Sequence, residues 1–240
     1  MKEWNINPKT NRTKHGQRRH QILAVAGQLV AAEGLEGLKM PIVAKEIGIS
    51  TPALYRHFPS KEALVAVLAG RVVDDIHVVL SEVRDAPSAH PCDVLARFSG
   101  AYIELSIDDP VTSALLNAFV TDPRRLVVGP MSDEIWGMCE SWWESIESSL
   151  RECRVSEGRA ELGAWGLWTA LQGQLGALKF AERRGGISVR DSAALASFSV
   201  VMGIVDSSFR LGLAEWTRSF KQGASRCAAA RGGTQKWWEL

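Results

Sequence analysis

The 240-residue sequence predicts an all-α protein, with an N-terminal three-helix head that contains a helix-turn-helix and a larger helical body. Apolar residues recur at helical spacing through most of the chain. Gly48 and Pro59 lie on either side of one very short segment, and glycine and proline commonly separate short helices. Charge is uneven: residues 1–62 hold ten Lys or Arg against five Asp or Glu, whereas residues 63–240 hold eighteen against twenty-two. The head is therefore basic and the body slightly acidic.

Residues 38–64 predict two short helices and the start of a third. The first helix covers Ile42 to Ile47, and Gly48 suits the left-handed conformation that ends a helix. Ser50 or Thr51 can cap the second helix, which runs from Pro52 to about Phe58, and Ser60 can cap the third. Helix, glycine turn and short helix is the order of a helix-turn-helix. An ordinary helical hairpin is the alternative interpretation.

The second of these helices offers little to a hydrophobic core. Leu54 and Phe58, four residues apart, form its buried stripe. The remaining side chains face outward: Thr51, Ala53, Tyr55, Arg56 and His57. A short exposed helix with hydroxyl groups and a cation fits the major groove of DNA, and a basic head attracts phosphates.

The run IGISTPALYRHFPSKEAL resembles the signature of the tetracycline-repressor (TetR) family of regulators. The features that match are Gly48, Ile49, Ser50, Leu54, Tyr55, His57, Phe58, Lys61, Glu62 and Leu64. The resemblance covers about Gln17 to Leu64. One position departs from the pattern, because Lys39 stands where the family usually has a threonine that binds a DNA phosphate. The resemblance implies a homodimeric, ligand-responsive transcriptional regulator, usually a repressor, that binds a palindromic operator.

Two sets of DNA contacts follow from the motif and the resemblance. We expect one set mainly to fix the register on phosphates: Lys39, Ser50, Thr51, Tyr55, His57 and Lys61. The base-edge candidates are Pro52, Ala53 and Arg56, because a small apolar group can touch a thymine methyl and an arginine can bind guanine.

The chain divides into four predicted segments. Residues 1–16 form a flexible basic arm, either reaching DNA or simply solvated, and residues 17–62 form the DNA-binding domain. Residues 63–218 form the body for ligand binding and dimerisation, and residues 219–240 form a C-terminal tail with Trp237 and Trp238. A long helix from Ser60 to about Arg84 belongs to both the head and the body, so it could transmit a signal between them.

We expect the dimer interface to be formed by two body helices. They run from Ser156 to about Arg184 and from Ser188 to about Leu213. Interior glycines weaken a helix, and close approach by another helix is the usual compensation. The small face of the first helix contains Gly166, Ala170, Gly173 and Ala177. The apolar stripe of the second helix contains Ala194, Phe198, Val201 and Val205. Two such helices from each subunit would make a four-helix interface, which is also the family's arrangement. The alternative is that the small face packs within one chain.

Aromatic residues concentrate in the body, where the family holds a small-molecule pocket. The resemblance makes the following residues pocket candidates: Tyr102, Phe119, Trp136, Trp143, Trp165, Trp168 and Gln172. Aromatic walls with few polar groups suit a flat, apolar or aromatic effector. The alternative for each tryptophan is an ordinary place in the core.

The remaining sequence features point away from other classes. Catalytic motifs are absent, and the four cysteines and five histidines lack metal-ligand spacing, so we expect no cofactor, no metal and no enzymatic activity. Without a secretory signal or a membrane-spanning stretch, we expect a cytoplasmic protein with buried thiols. The rival classes are a constitutive DNA-binding protein without an effector pocket and a small helical enzyme.

Overall fold

The computed structural model describes residues 14–88, 90–121, 132–177, 185–186 and 188–231, and within them it is helical with no strand. The predicted arm up to residue 13, residues 122–131 and Trp237-Trp238 lie outside the described residues. The α-helices are α1 (Lys14–Gly37), α2 (Met40–Glu46), α3 (Thr51–Tyr55), α4 (Lys61–Asp85), α5 (Pro91–Asp108), α6 (Pro110–Thr121), α7 (Ser132–Glu152), α8 (Glu157–Gly176), α9 (Val189–Ile204) and α10 (Leu213–Arg231), with a 3₁₀ turn at Ser207–Phe209. This confirms the predicted all-α class.

The helix-turn-helix forms where local sequence signals place it. Gly48 ends α2 with a φ of +67°, and the Ile49 amide donates to the Ala44 carbonyl at 2.9 Å. A side chain in this left-handed conformation would cost about 1–2 kcal/mol, so glycine is favoured here. Ser50 then caps α3 by accepting from the Ala53 amide at 3.3 Å. The turn between the two helices is therefore fixed by backbone and cap geometry.

Helix α4 begins with a similar cap. The Ser60 hydroxyl accepts from the Ala63 amide at 3.1 Å. The Glu62 carboxylate accepts from its own amide and from the Ser60 hydroxyl, and these bonds lower the pKa of Glu62. A negative charge in the first turn also favours the helix dipole.

The core of the head is formed by α1, α2, α3 and the first part of α4. Fully buried residues on four of them share this core: Ile22, Leu23, Ala26, Val30, Val43, Leu54, Leu64 and Leu68, with Phe58 only 1% exposed. Gly34 has a φ of +70° inside α1, which marks the end of the regular part of this helix. The two predicted stripe residues Leu54 and Phe58 are thus buried, and they fix which face of α3 points outward.

The described chain forms two compact units, and their boundary differs from the predicted one at residue 62. The first unit contains residues 14–75 and the described part of 109–137, whereas the second contains residues 76–108 and the described part of 138–231. The first unit extends beyond the helix-turn-helix because α6 packs on α1. Helix α4 supplies residues to both units. None of the described helices has the length and apolar content needed to cross a membrane.

Within the second unit, α5 and α10 approach unusually closely. A Cβ added at Gly100 would lie 2.8 Å from the Phe220 carbonyl carbon, and one at Gly223 would lie 2.6 Å from that of Arg97. Both positions therefore require glycine, because backbone atoms fill the space. Trp216 is fully buried on the same helix α10, and its indole N–H donates to the Ser197 hydroxyl at 3.2 Å.

Helix α10 also corrects the predicted tail. Residues 219–231, which were expected to belong to a tail, continue the helix from Leu213. Phe220 and Cys227 are 2% and 1% exposed, so this helix contributes to the core of the second unit. The sequence carried the signal, because Trp216, Phe220, Gly223 and Cys227 recur at helical spacing.

Candidate functional site

The outward face of α3 presents the predicted DNA-binding side chains. We call this surface, formed by Ser50, Thr51, Pro52, Ala53, Tyr55, Arg56 and His57, the recognition face. Ser50, Pro52, Tyr55 and Arg56 are exposed, and Tyr55 reaches 45% exposure. Thr51, Ala53 and His57 are partly covered. An exposed aromatic and an exposed cation on one short helix can meet a partner without rearrangement of the core.

Two arginines of α1 hold the helix-turn-helix in place. Arg18 donates to the Ile47 carbonyl at 3.3 Å, and Arg19 donates to the His57 carbonyl at 2.8 Å. The Arg19 guanidinium also lies 4.3 Å from the centre of the Phe58 ring. These bonds satisfy carbonyls that follow α2 and α3, where helices have unpaired acceptors. The sequence showed both arginines near the expected DNA face, but it gave no sign of this bracing.

The other two predicted phosphate contacts lie in different surroundings. Lys39, just before α2, is exposed. Lys61 is partly covered, and its ammonium group donates to the Leu35 carbonyl at 2.8 Å. Lys61 thus joins the end of α1 to the start of α4. The ammonium group has three donors, so this bond leaves two of them for other acceptors.

Further positive charge lies near Arg19 and His20 of α1. Burial lowers the pKa of Arg71 to about 10, while the nearby carboxylate of Asp75 opposes that shift and Arg19 adds to it. Arg71 therefore stays charged at neutral pH. Burial and the charge of Arg71 lower the pKa of His20, so this imidazole favours its neutral form. Of these two groups, Arg71 therefore contributes the fixed positive charge.

In the second unit, five of the seven predicted pocket residues pack on one another. The Trp143 ring centre lies 4.8 Å from that of Trp165 and 6.2 Å from that of Trp168. The Tyr102 ring centre lies 5.2 Å from that of Trp168, and the Gln172 amide donates to the Tyr102 hydroxyl. Tyr102 is fully buried, and burial raises its pKa. These five side chains therefore form a cluster of mutual aromatic and hydrogen-bond contacts.

The other two pocket candidates are Trp136 and Phe119. Trp136 belongs to the first unit, and its side chain is 41% exposed. The side chain of Phe119 lies outside the described residues.

A cleft with a different lining lies in the second unit. Its enclosed space is about 20 Å³, and the rest of the cleft is open to solvent. Apolar residues of α4 and α5, including Leu80, Leu95 and Phe98, form one side. Three serines of α7 at intervals of four form another: Ser141, Ser145 and Ser149. Their hydroxyls donate to carbonyls of their own helix, which leaves oxygen lone pairs free to accept from a ligand.

Trp142, His77, Ser81 and Arg84 complete the polar part of this lining. The Trp142 indole N–H donates to Nδ1 of His77 at 3.2 Å, and Trp142 is only 8% exposed. Phe98 connects the cleft to the aromatic cluster, because its ring stacks 6.3 Å from that of Tyr102. Of the six pocket candidates whose side chains the structure describes, none lines this cleft. Trp142 and the serine row were visible in the sequence, but only packing shows that they face an opening.

Helices α8 and α9 pack together within the chain and also leave an apolar surface. A Cβ at Gly166 would lie 3.2 Å from Val200 Cγ1, so this glycine serves packing inside the chain, as the alternative interpretation held. Ala194, Val201 and Val205 are at most 3% exposed. They were predicted to contact a partner subunit, and that prediction is wrong because they face the chain's own core.

The remaining predicted interface residues keep some exposure. Gly173 and Ala177 are exposed, whereas Ala170 and Phe198 are partly covered. Phe198 packs on Trp216, with ring centres 6.2 Å apart. Large apolar side chains of the same two helices face outward instead: Leu162 is 71% exposed, Trp165 54% and Leu195 52%. We call Leu162, Trp165, Gly173 and Leu195 the outer face of α8 and α9.

An all-helical chain with a braced helix-turn-helix and an exposed recognition face belongs to the helix-turn-helix class of DNA-binding regulators. The pattern described as "Bacterial regulatory proteins, tetR family" matches residues 22–68. Nucleoid occlusion factor SlmA of Vibrio campbellii (strain ATCC BAA-1116) is 36% identical over 155 residues, which cover 62% of this chain and 74% of SlmA. The chain therefore belongs to the tetR family of bacterial regulatory proteins.

Three further matches are one to a shorter stretch of sequence and two to solved structures with a similar fold. SlmA of Vibrio atlanticus (strain LGP32) is 37% identical over 78 residues, so the match spans 30% of this chain and 40% of that relative. The structure of the TetR family protein CprB from S. coelicolor A3(2) matches with a TM-score of 0.62 at 19% identity, over 89% of this chain and 99% of CprB. A protein from Saccharomonospora viridis in complex with choline matches with a TM-score of 0.60 at 20% identity, over 80% and 99% of the two chains.

Proposed function

We propose that this protein is a homodimeric transcriptional repressor that binds a palindromic operator and is released by a small effector with a largely apolar body. The observation that carries the proposal is the recognition face: Tyr55 and Arg56 are exposed on a helix whose other side is anchored by buried Leu54 and Phe58. The bonds from Arg18 and Arg19 keep that helix from moving independently of the head. A rigid recognition helix loses little conformational freedom on binding DNA.

A selection from random duplexes tests DNA recognition directly. The full chain is expected to enrich an inverted repeat whose half-sites lie about one helical turn, or a small multiple of it, apart. Footprinting should then protect both half-sites, and affinity should fall steeply as salt rises. Enrichment of no sequence, or of a single unpaired half-site, would count against a dimeric repressor.

The outer face of α8 and α9 supports the homodimer. Leu195 is 52% exposed, and a carboxylate in its place would be buried without a partner in the interface. Leu195→Glu is therefore expected to convert the dimer to a monomer, measured by light scattering after size-exclusion chromatography. Leu213→Glu is the matched control, because Leu213 is 44% exposed on a different helix, α10. Dimers of unchanged stability in Leu195→Glu would refute this interface.

The cleft supports effector binding. Its lining joins an apolar wall to a row of hydroxyls, which is the combination of surfaces that small-molecule sites use. An amphiphilic molecule fits this combination, with donors facing Ser141, Ser145 and Ser149 and an apolar body against Leu80 and Phe98. Helix α4 begins at the head with Lys61 and carries His77, Leu80 and Arg84 into the cleft lining. A ligand that prefers one placement of α4 by a few kcal/mol would shift the DNA-binding population.

Filling the cleft tests this assignment. Ser145→Phe is expected to weaken effector binding at least tenfold while leaving operator affinity within twofold, because it occupies the cleft and leaves the recognition face unchanged. Apolar compounds are screened by quenching of tryptophan fluorescence, since Trp142 lines the cleft. Ser148→Phe, an exposed neighbour on α7, is the matched control. If no compound binds, or if Ser145→Phe binds as well as the control, the protein is a constitutive DNA binder or its effector site lies elsewhere.

A further inference from the structure

Two cysteines far apart in sequence meet in the second unit. Cys92 lies in the first turn of α5, and Cys153 follows the last residue of α7. Their sulfur atoms are 2.9 Å apart, and both side chains are fully buried. All four cysteines of the chain are in the thiol form. The separation is shorter than ordinary sulfur–sulfur contact and about 0.9 Å longer than a disulfide bond.

We propose that Cys92 and Cys153 form a reversible intramolecular disulfide when the protein meets a peroxide. Neither the recognition face nor the effector cleft includes either sulfur, so the proposal is independent of both.

The contact between the two sulfur atoms favours the thiolate form of Cys153 and the protonated thiol form of Cys92. A hydrogen bond from Cys92 lowers the pKa of Cys153, while the same bond and burial raise the pKa of Cys92. The thiolate is the nucleophile in cysteine oxidation, so Cys153 is the residue that reacts first. The Phe209 carbonyl lies 3.5 Å from the Cys92 sulfur and offers a second acceptor for its proton.

The reaction balances with hydrogen peroxide as the oxidant. The Cys153 thiolate attacks one peroxide oxygen, the O–O bond breaks, and the departing oxygen leaves as water with the proton lost by Cys153. The resulting sulfenic acid is attacked by the Cys92 sulfur. The S–O bond breaks, and its oxygen leaves as a second water with the Cys92 proton. The two sulfurs are thereby oxidised by two electrons and the peroxide is reduced.

The position of the two sulfur atoms determines which oxidants can reach them. Both sulfurs lie at helix ends, and Arg154 immediately after Cys153 has a φ of +59°, where the chain turns out of α7. Helix ends open locally more readily than helix centres, so a small peroxide gains access where a bulky reagent does not. The bond would tie the start of α5 to the end of α7. Val94 on α5 and Ser149 on α7 both line the cleft, so oxidation would restrain its walls.

The test uses the full chain with Cys139→Ser and Cys227→Ser, which leaves only the proposed pair. After hydrogen peroxide treatment, unfolding and alkylation, we expect a peptide joined through Cys92 and Cys153, the loss of two hydrogen masses per chain, and full recovery with dithiothreitol. The oxidised protein should melt about 5–10 °C higher, because the bond closes a long loop. The same background with Cys92→Ala is the control, with its fold checked by circular dichroism.

Three results would overturn the proposal. One is the recovery of both thiols unmodified after a peroxide dose that oxidises an exposed model thiol. The others are irreversible oxidation of Cys153 without a linked peptide, and linkage only between chains. Because the readout is covalent, each result stands whatever the DNA and effector experiments show.

Discussion

Tyr55→Ala is expected to abolish operator binding at physiological salt while the dimer stays intact. Tyr55 is 45% exposed at the centre of the recognition face, so its removal takes away a DNA contact without opening the core. A dimer presents the residue twice. A loss of about 2 kcal/mol at each half-site would weaken binding by roughly a thousandfold. Anisotropy titration with the selected operator measures the change.

Two companion measurements separate recognition from stability. The melting temperature of Tyr55→Ala should match that of the natural sequence, because exposed substitutions usually change stability by less than about 0.5 kcal/mol. Arg56→Ala should instead relax the preference at one base step, since an arginine that binds guanine supplies sequence discrimination. Operator affinity within threefold of the natural protein for Tyr55→Ala would refute the docking of α3 in the groove.

Gly100→Ala is expected to destabilise the second unit severely. The added methyl carbon would lie 2.8 Å from the Phe220 carbonyl carbon and closer still to its oxygen. Those atoms belong to the backbone of α10, so the two helices must separate along their contact. Overpacking of this kind costs about 3 kcal/mol or more, which corresponds to a melting temperature roughly 10 °C lower. Thermal and denaturant unfolding of the purified variant measure the effect.

Gly137→Ala is the matched control for this prediction. Gly137 lies inside α7, is exposed, and would place its Cβ with no atom within 4 Å. Alanine is a better helix former than glycine, so the variant should gain about 0.5–1 kcal/mol. The same substitution is thus expected to have opposite signs at two helical glycines. Equal stability of the two variants would show that α5 and α10 do not approach as closely as the structure shows.

The sequence by itself determined the all-α class and the helix-turn-helix. Gly48, Ser50 and Ser60 act through the backbone immediately around them, so their effects can be read from a few neighbouring residues. The buried stripe of Leu54 and Phe58 follows from helical spacing in the same way. Even so, α3 ends at Tyr55 rather than near Phe58, because capping fixes where a short helix begins better than where it ends.

Only the tertiary structure decided which surface each apolar side chain meets. Ala194, Val201 and Val205 form an apolar stripe that looks the same whether its partner is another subunit or the chain's own core, and the structure assigns it to the core. The clustered tryptophans likewise pack on one another, while Trp142 and a row of serines line the cleft. Cys92 and Cys153 meet across 61 positions of sequence. Periodicity specifies a face, but the identity of its partner depends on how distant helices pack.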